Sequence, residues 1–167
     1  MTVAQVWTGT AGTTQHRLAI DSPVGLLVLE ADDAGLCSVR RLRDALPLPD
    51  MAKVPDSLLR TRDELMAYFA GGLRRFSVPL CPQGTRFQRA VWAFVADIPY
   101  GTTITYRDLA DLLGSAPRAV ARACASNPLP FLIPCHRVVV RTGRGGSSAG
   151  AGVATKDWLL GLEGAPA

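Results

Sequence analysis

The segment Pro79-Leu80-Cys81-Pro82-Gln83-Gly84 constrains the fold most, because the hydrophobic pattern changes across it. Upstream, short apolar runs alternate with turn residues. His16-Arg17-Leu18-Ala19-Ile20-Asp21 alternates loosely, Ser22-Pro23-Val24-Gly25 breaks the run, and Leu26-Leu27-Val28-Leu29-Glu30 follows. Asp32-Asp33-Ala34-Gly35 has turn composition, and Leu36-Cys37-Ser38-Val39 completes the pattern of an antiparallel meander. Residues 43–55 carry three prolines and read as a connection. Asp56 is placed to cap a helix with an apolar stripe of Leu58, Leu59, Leu65, Met66 and Phe69, which Gly71-Gly72 stops. This half holds no constellation of catalytic residue types and reads as a structural domain.

Downstream, the period becomes helical. Thr85-Arg86-Phe87-Gln88 has the form of a capping box, in which a hydroxyl and an amide side chain each satisfy an amide of the first turn. Phe87, Val91, Trp92, Val95 and Ile98 follow as a stripe, ended by Pro99-Tyr100-Gly101. A second helix runs from Tyr106 to Leu113 with Leu109, Leu112 and Leu113 inward. Gly114 turns the chain, Ser115 is placed to cap a third helix, and Pro117 sits in its first turn. Helix, short glycine turn and helix form the pattern of a helix-turn-helix, which is common and of low specificity alone. The third helix turns Val120, Ala123 and Cys124 inward and Arg118, Arg122, Ala121 and Ala125 outward. Such a lean basic face suits close approach to nucleic acid, and equally an ordinary alanine-rich surface. The fold expected is α+β, with a structural domain over residues 1–81 and a second domain over residues 82–167.

The 167 residues are 48% hydrophobic, enough for a packed core, and no apolar run has membrane-spanning length. Met1 to Thr14 lacks the layout of a signal peptide, so a cytoplasmic protein without membrane contact is expected. The net charge is +4. Its arginines cluster at Arg40, Arg41 and Arg43, at Arg74 and Arg75, and in the last third, which permits a polyanionic partner without requiring one. The four cysteines include no C-x-x-C pair, and the only histidines are His16 and His136. Neither a metal site nor disulfides are expected.

Phe131-Leu132-Ile133 reads as a short strand leading into Pro134-Cys135-His136-Arg137. A thiol attacks as thiolate and needs a base or a positive field beside it. His136 is adjacent, but neighbours on a strand point to opposite faces, so direct contact requires a bend or a bridging water. Spacing alone does not nominate the group that would orient the imidazole. By itself a Cys-His adjacency is more often structural.

The surrounding motifs resemble those of the O6-alkylguanine-DNA alkyltransferase family. The resemblance runs from Phe87-Gln88 and Val91-Trp92 through Ile98-Pro99-Tyr100-Gly101-Thr102 and Tyr106 to Leu109-Ala110. It continues through Arg118-Ala119-Val120, Asn127-Pro128 and Ile133-Pro134-Cys135-His136-Arg137-Val138, and closes on Lys156, Trp158-Leu159-Leu160 and Glu163. Ser22-Pro23-Val24-Gly25 matches the family's first half more loosely. The resemblance implies an N-terminal antiparallel sheet with a helix, ribonuclease H-like, and a mostly helical C-terminal domain with a helix-turn-helix.

It also implies a reaction: stoichiometric, irreversible transfer of an alkyl group from O6-alkylguanine, or O4-alkylthymine, in double-stranded DNA to Cys135. His136 would act as base through a water, with Glu163 orienting it. Tyr106 would help rotate the target phosphate and bond the purine. Arg118 would fill the stack of the extruded base from the minor groove, with Thr103, Ala119 and Arg122 on the same DNA face. Asn127 would tie the recognition helix to the active-site turn. The pocket would include Pro130, Val138, Ala149 and Gly150, with the carbonyls of Cys135 and Val138 reading the guanine amino group. No cofactor is implied, and the protein would act as a monomer.

The chain departs from the family at residues 143–152, where a Gly-Tyr-x-Gly-Gly segment with a pocket-wall tyrosine is usual and no tyrosine occurs. A surface loop and a wider pocket both fit that change. Arg122 stands where a small residue is common. A non-reacting lesion sensor would lack Cys135. A transcription factor would carry more base-reading side chains on its third helix, and a cysteine hydrolase would turn over.

Overall fold

The computed structural model describes residues 16–42, 54–141 and 152–165. They fall into two compact units that divide between Gln83 and Gly84. Both helices and strands are present, so the fold is mixed α and β.

The first unit holds a three-stranded antiparallel meander of β1 (His16–Ile20), β2 (Leu27–Asp32) and β3 (Gly35–Arg41). The register pairs Ile20 with Leu27 and Leu27 with Arg41. Asp32 closes the β2–β3 turn by accepting from the amides of Ala34 and Gly35 at 2.8 and 3.2 Å. Gly35 is required there. Its φ is +146°, and a Cβ would lie 2.5 Å from the Pro79 carbonyl oxygen, which accepts the Leu36 amide.

Helix α1 (Asp56–Phe69) lies against all three strands and buries Leu58, Leu65, Tyr68 and Phe69. Fully burying one such side chain stabilises by about 1.5–3 kcal/mol. Asp56 is the first helical residue, not the cap. Pro55 holds the cap position without a side-chain bond, and Asp56 instead puts negative charge in the first turn. Met66 is exposed and Leu59 half-buried, so the buried stripe is narrower than the sequence pattern and is completed by Tyr68.

In the second unit, α2 (Arg86–Ala96) starts from the capping box. Thr85 Oγ1 accepts from the Gln88 amide at 3.2 Å, and Gln88 Oε1 accepts from the Thr85 amide at 2.8 Å. Val91, Trp92 and Val95 are buried, whereas Phe87 faces solvent. Two-residue strands β4 (Ile104–Thr105) and β5 (Val138–Val139) pair in parallel. Helix α3 (Tyr106–Leu112) leaves β4 directly, with Thr105 accepting from the Asp108 amide at 3.1 Å.

Gly114, at φ +59°, turns the chain towards α4 (Pro117–Ala125). Ala116, not Ser115, is the cap of α4 and makes no side-chain bond; Pro117 presets the first turn. Leu112 is 64% exposed, so only Leu109 of the expected α3 leucines is fully buried. Trp92 Nε1 donates to the Ala123 carbonyl at 2.8 Å and fastens α4 to α2. Helix α5 (Gly152–Leu162) completes the unit. Residues 131–133 form a turn rather than a strand, with Phe131 at φ +74°. The chain must reverse there between α4 and the residues that follow. Among the described residues no helix is long and apolar enough to cross a membrane.

Candidate active site

Cys135, His136 and Arg137 form one turn of 3-10 helix, all three buried. This turn supplies the bend that a strand would have lacked, and β5 fixes its far end against β4. Its near end is held by Asn127, which follows α4. The Asn127 amide nitrogen donates to the Cys124 carbonyl at 3.2 Å, and its side-chain oxygen accepts from the Leu129 amide at 2.9 Å. Its side-chain Nδ2 donates to the Ile133 carbonyl at 2.8 Å and to Cys135 Sγ at 3.2 Å. Asn127, through its backbone amide and its side chain, thus joins the end of α4, the reversal and the thiol.

Cys135 is 2% exposed, and Cys124, on the inward face of α4, is 1% exposed. The Cys124 thiol and burial push the Cys135 thiol well above its ordinary range, while the Asn127 bond and the charge of Lys156 oppose the rise. Cys124 is lowered by the Cys135 thiol, and Lys156 adds to the effect. Lys156, on α5, is fully buried and donates to the Val138 carbonyl at 2.6 Å. Burial pulls the ammonium down and the two thiols hold it up. It also lies 5.7 Å from the ring centre of Tyr106. Burial and the thiols push the Tyr106 phenol up to about 12, so it remains a neutral donor at physiological pH.

His136 points the other way. Its Nε2 lies 2.7 Å from Glu163 Oε1 in a buried contact. Burial lowers the imidazole below its usual range despite the Glu163 carboxylate, with Arg137 and Lys156 adding to the fall. A neutral imidazole facing an acceptor-only carboxylate carries its proton on Nε2, which leaves Nδ1 as the basic nitrogen. Arg137 meets the same carboxylate in a fork, Nε to Oε2 and Nη2 to Oε1, both at 2.9 Å. Its Nη1 donates to the Ile98 carbonyl at 2.6 Å. The Gly101 amide adds a fourth donor to Glu163, at 3.1 Å. Gly101 is needed at this approach, since its φ is +76° and a Cβ would lie 2.9 Å from the Glu163 carbonyl oxygen. The arrangement offers a thiol, a fixed neutral base and a buried cation within one turn and its supports.

A model of the 6-O-methylguanine DNA methyltransferase DNA-binding domain matches residues 86–165, the stretch that contains every group just described. A methylated-DNA–protein-cysteine methyltransferase of Methanosarcina acetivorans is 39% identical over 153 residues, covering 86% of this chain and 95% of that protein. The chain belongs to the methylated-DNA–protein-cysteine methyltransferase family. A methyltransferase of the same name from Mycobacterium tuberculosis is also 39% identical, over 152 residues, with 89% of this chain and 92% of that protein covered. Among solved structures, Mycobacterium tuberculosis OGT in complex with DNA matches with a TM-score of 0.78 at 39% identity, over 91% of this chain and 96% of that one.

In this member of the methylated-DNA–protein-cysteine methyltransferase family, Cys135, Asn127, His136, Glu163, Tyr106 and Val138 gather around the turn. Arg118 and Arg122 lie apart from that cluster, exposed on α4, with Ala119 half-buried between them. Thr103 and Pro130 are half-buried, just before β4 and within the reversal. Ala149 and Gly150, and the tyrosine-free segment around them, lie outside the described residues. The Val138 carbonyl, expected to meet guanine, already accepts from Lys156, leaving its second lone pair for another donor.

Three residues carry more of the site than their sequence pattern suggested. Arg137 neutralises Glu163. Cys124 acts on the Cys135 thiol as well as being a core residue. Lys156 is a buried ammonium at the centre of the cluster, and its signal was the one lysine of α5, between Thr155 and Asp157. The spacing of Cys124 from Cys135 gave no comparable signal, because the reversal that unites them has no periodicity.

Proposed function

We propose that this chain repairs DNA by transferring the alkyl group of O6-alkylguanine, or of O4-alkylthymine, to Cys135 Sγ. The observation that carries the reading is the buried Cys135 thiol, held by Asn127 and flanked by the His136–Glu163–Arg137 chain. A sulfur that is 2% exposed cannot reach a stacked base. The base must leave the duplex, at a cost of roughly a few kcal/mol. The exposed Arg118 on α4 offsets part of that cost by occupying the vacated stack.

In the transfer, a lone pair on Sγ forms the S–C bond as the C–O6 bond breaks and guanine leaves. The Cys135 proton passes through a water to His136 Nδ1, whose tautomer Glu163 fixes. The neutral Tyr106 hydroxyl donates to the leaving purine. The product thioether has no carbonyl for water to attack, so one chain repairs one lesion.

In this reading α3, the Gly114 turn and α4 act as a helix-turn-helix in the minor groove, with Thr103, Ala119 and Arg122 beside the backbone. Residues 82–167 form the DNA-binding and alkyl-transfer domain. Residues 1–81 form a structural domain whose meander and helix support a ribonuclease H-like assignment. The protein acts as a cytoplasmic monomer, and Pro130 and Val138 line the pocket.

The test is to incubate the protein with a duplex containing a single O6-methylguanine and weigh the intact chain. A gain of one methylene, absent in Cys135→Ala, supports the reading. Tight binding with no change in mass would leave a lesion sensor in its place, and repeated turnover a hydrolase.

A further inference from the structure

Helix α5 carries an ammonium that neither the transfer step nor the His136–Glu163–Arg137 chain uses. Lys156 is fully buried. A lysine is almost never so buried unless it is paired, yet among the described residues no ion pair includes Lys156. Its Nζ donates instead to the neutral carbonyl of Val138, at 2.6 Å. The same nitrogen lies over the Tyr106 ring, 5.7 Å from its centre. Withdrawing an ammonium from water without a counter-charge costs stability, so packing alone gives no reason for a lysine here.

The two groups it meets are brought together by the short strand pair. Val138 opens β5 and Tyr106 follows β4 directly, with Ile104 set beside Val138 and Thr105 beside Val139. Each strand has two residues, too few to hold a peptide plane by pairing alone. Val138 also caps the 3-10 turn that carries Cys135. A charge-assisted hydrogen bond is shorter and roughly twice as strong as a neutral one. At Val138 it takes one lone pair of the carbonyl and fixes the direction of the other.

We propose that Lys156 is a positioning residue for base recognition. By holding the Val138 carbonyl, it makes the site prefer alkylated purines that carry a 2-amino group. The role rests on Cys135 being the alkyl acceptor. The free lone pair of the Val138 oxygen then accepts an N–H of the guanine amino group, while the Tyr106 hydroxyl meets the same purine. One ammonium thus sets the acceptor on β5 and steadies the ring on α3. An O6-alkylhypoxanthine, with hydrogen in place of the amino group, leaves the carbonyl unmatched.

The test compares two lesions that differ only in that group. Duplexes carrying one O6-methylguanine or one O6-methylhypoxanthine opposite cytosine are offered to the full chain and to Lys156→Met. Single-turnover methyl gain is followed by mass. The unsubstituted chain should prefer O6-methylguanine by about threefold to tenfold, the order of one hydrogen bond. In Lys156→Met that preference should be lost, whatever the change in absolute rate. Any difference in pairing between the two duplexes is the same for both proteins and cancels between the ratios. Methionine has similar length and no charge, so the variant is expected to fold, and its urea midpoint is measured beside that of the unsubstituted chain. Equal losses on both lesions overturn the proposal, as does an unsubstituted chain without preference. A variant that no longer folds also overturns it, because the ammonium would then be a structural group. No methyl gain from either duplex by the unsubstituted chain removes the alkyl-acceptor reading itself, whereas gain with an unchanged ratio in the variant removes only the role of Lys156.

Discussion

Arg137 grips Glu163 through two parallel hydrogen bonds of 2.9 Å, with side chains 7% and 0% exposed. The pair is a device for placing His136 more than a source of net stability. Desolvating two charges costs most of what their attraction returns, so a buried pair is weak evidence of stabilisation. What it achieves is a carboxylate that orients the imidazole while its own charge is largely cancelled, leaving His136 neutral.

Removing one partner exposes the cost. Glu163→Gln keeps the shape but leaves the Arg137 guanidinium buried without its counter-charge. Breaking a buried pair in this way costs about 3–5 kcal/mol. Urea unfolding of Glu163→Gln is expected to show a loss of that order, with methyl transfer reduced even where the chain is folded. A change below about 1 kcal/mol would mean that the fork contributes no more than an exposed ion pair.

If His136 is the base of the proposed transfer, its shift sets an acid limb for the reaction. Burial lowers its pKa below the free value of about 6.5. The base therefore stays unprotonated through that value, and the methyl-transfer rate should fall only at more acid pH. The stability effect has the same sign. Below about 6.5 the unfolded chain binds the histidine proton first, so stability falls as pH falls, until the folded site also protonates. Rates on methylated duplex and urea midpoints across this range check both. A limb above 6.5 would show that the carboxylate outweighs burial.

The Asn127 bonds give a third expectation. Asn127→Ala removes the donor to Ile133 and Cys135 and the acceptor for the Leu129 amide, all of them buried. Each unsatisfied buried group costs about 1–3 kcal/mol, so the variant should lose at least ~2 kcal/mol. The Asn127 bond also opposes the rise of the Cys135 thiol. Alkylation of Cys135 by iodoacetamide, followed on peptide 123–137, should slow in the folded variant. Unchanged thiol reactivity would limit Asn127 to a structural role.

Much of this was legible because periodic signals report local structure well. The capping box at Thr85 and Gln88, the inward face of Val120, Ala123 and Cys124, and the meander of the first unit all follow from spacing. The failures lie where tertiary contacts decide. Leu112 lies on an apolar stripe yet faces solvent, because nothing in the stripe itself specifies which neighbour will cover it. Phe131-Leu132-Ile133 has strand composition, but the chain must reverse between α4 and the thiol, and Phe131 takes the left-handed conformation. Ser115 has capping chemistry, but Ala116 occupies the cap because Pro117 starts the helix one residue later. The Arg137–Glu163 fork spans residues far apart in the chain, and no local pattern encodes it.

The outward face of α4 yields the last expectation, which separates two arginines of like exposure. If Arg122 meets a backbone phosphate, Arg122→Ala should weaken binding to every duplex alike. It should also flatten the salt dependence of log K by about 0.9, the slope of one phosphate contact on duplex DNA. If Arg118 instead fills the stack of the extruded base, as proposed, its task is a different one. Arg118→Ala should therefore slow methyl transfer on paired O6-methylguanine far more than it weakens binding to undamaged duplex. A single-stranded or mismatched substrate, whose base is already easier to extrude, should recover part of that loss. Fluorescence anisotropy over a salt series and single-turnover transfer on paired and mismatched duplexes measure the two effects. Equal losses on both substrates for Arg118→Ala would reduce it to a second phosphate contact, and an unchanged salt slope for Arg122→Ala would return that residue to the solvated surface.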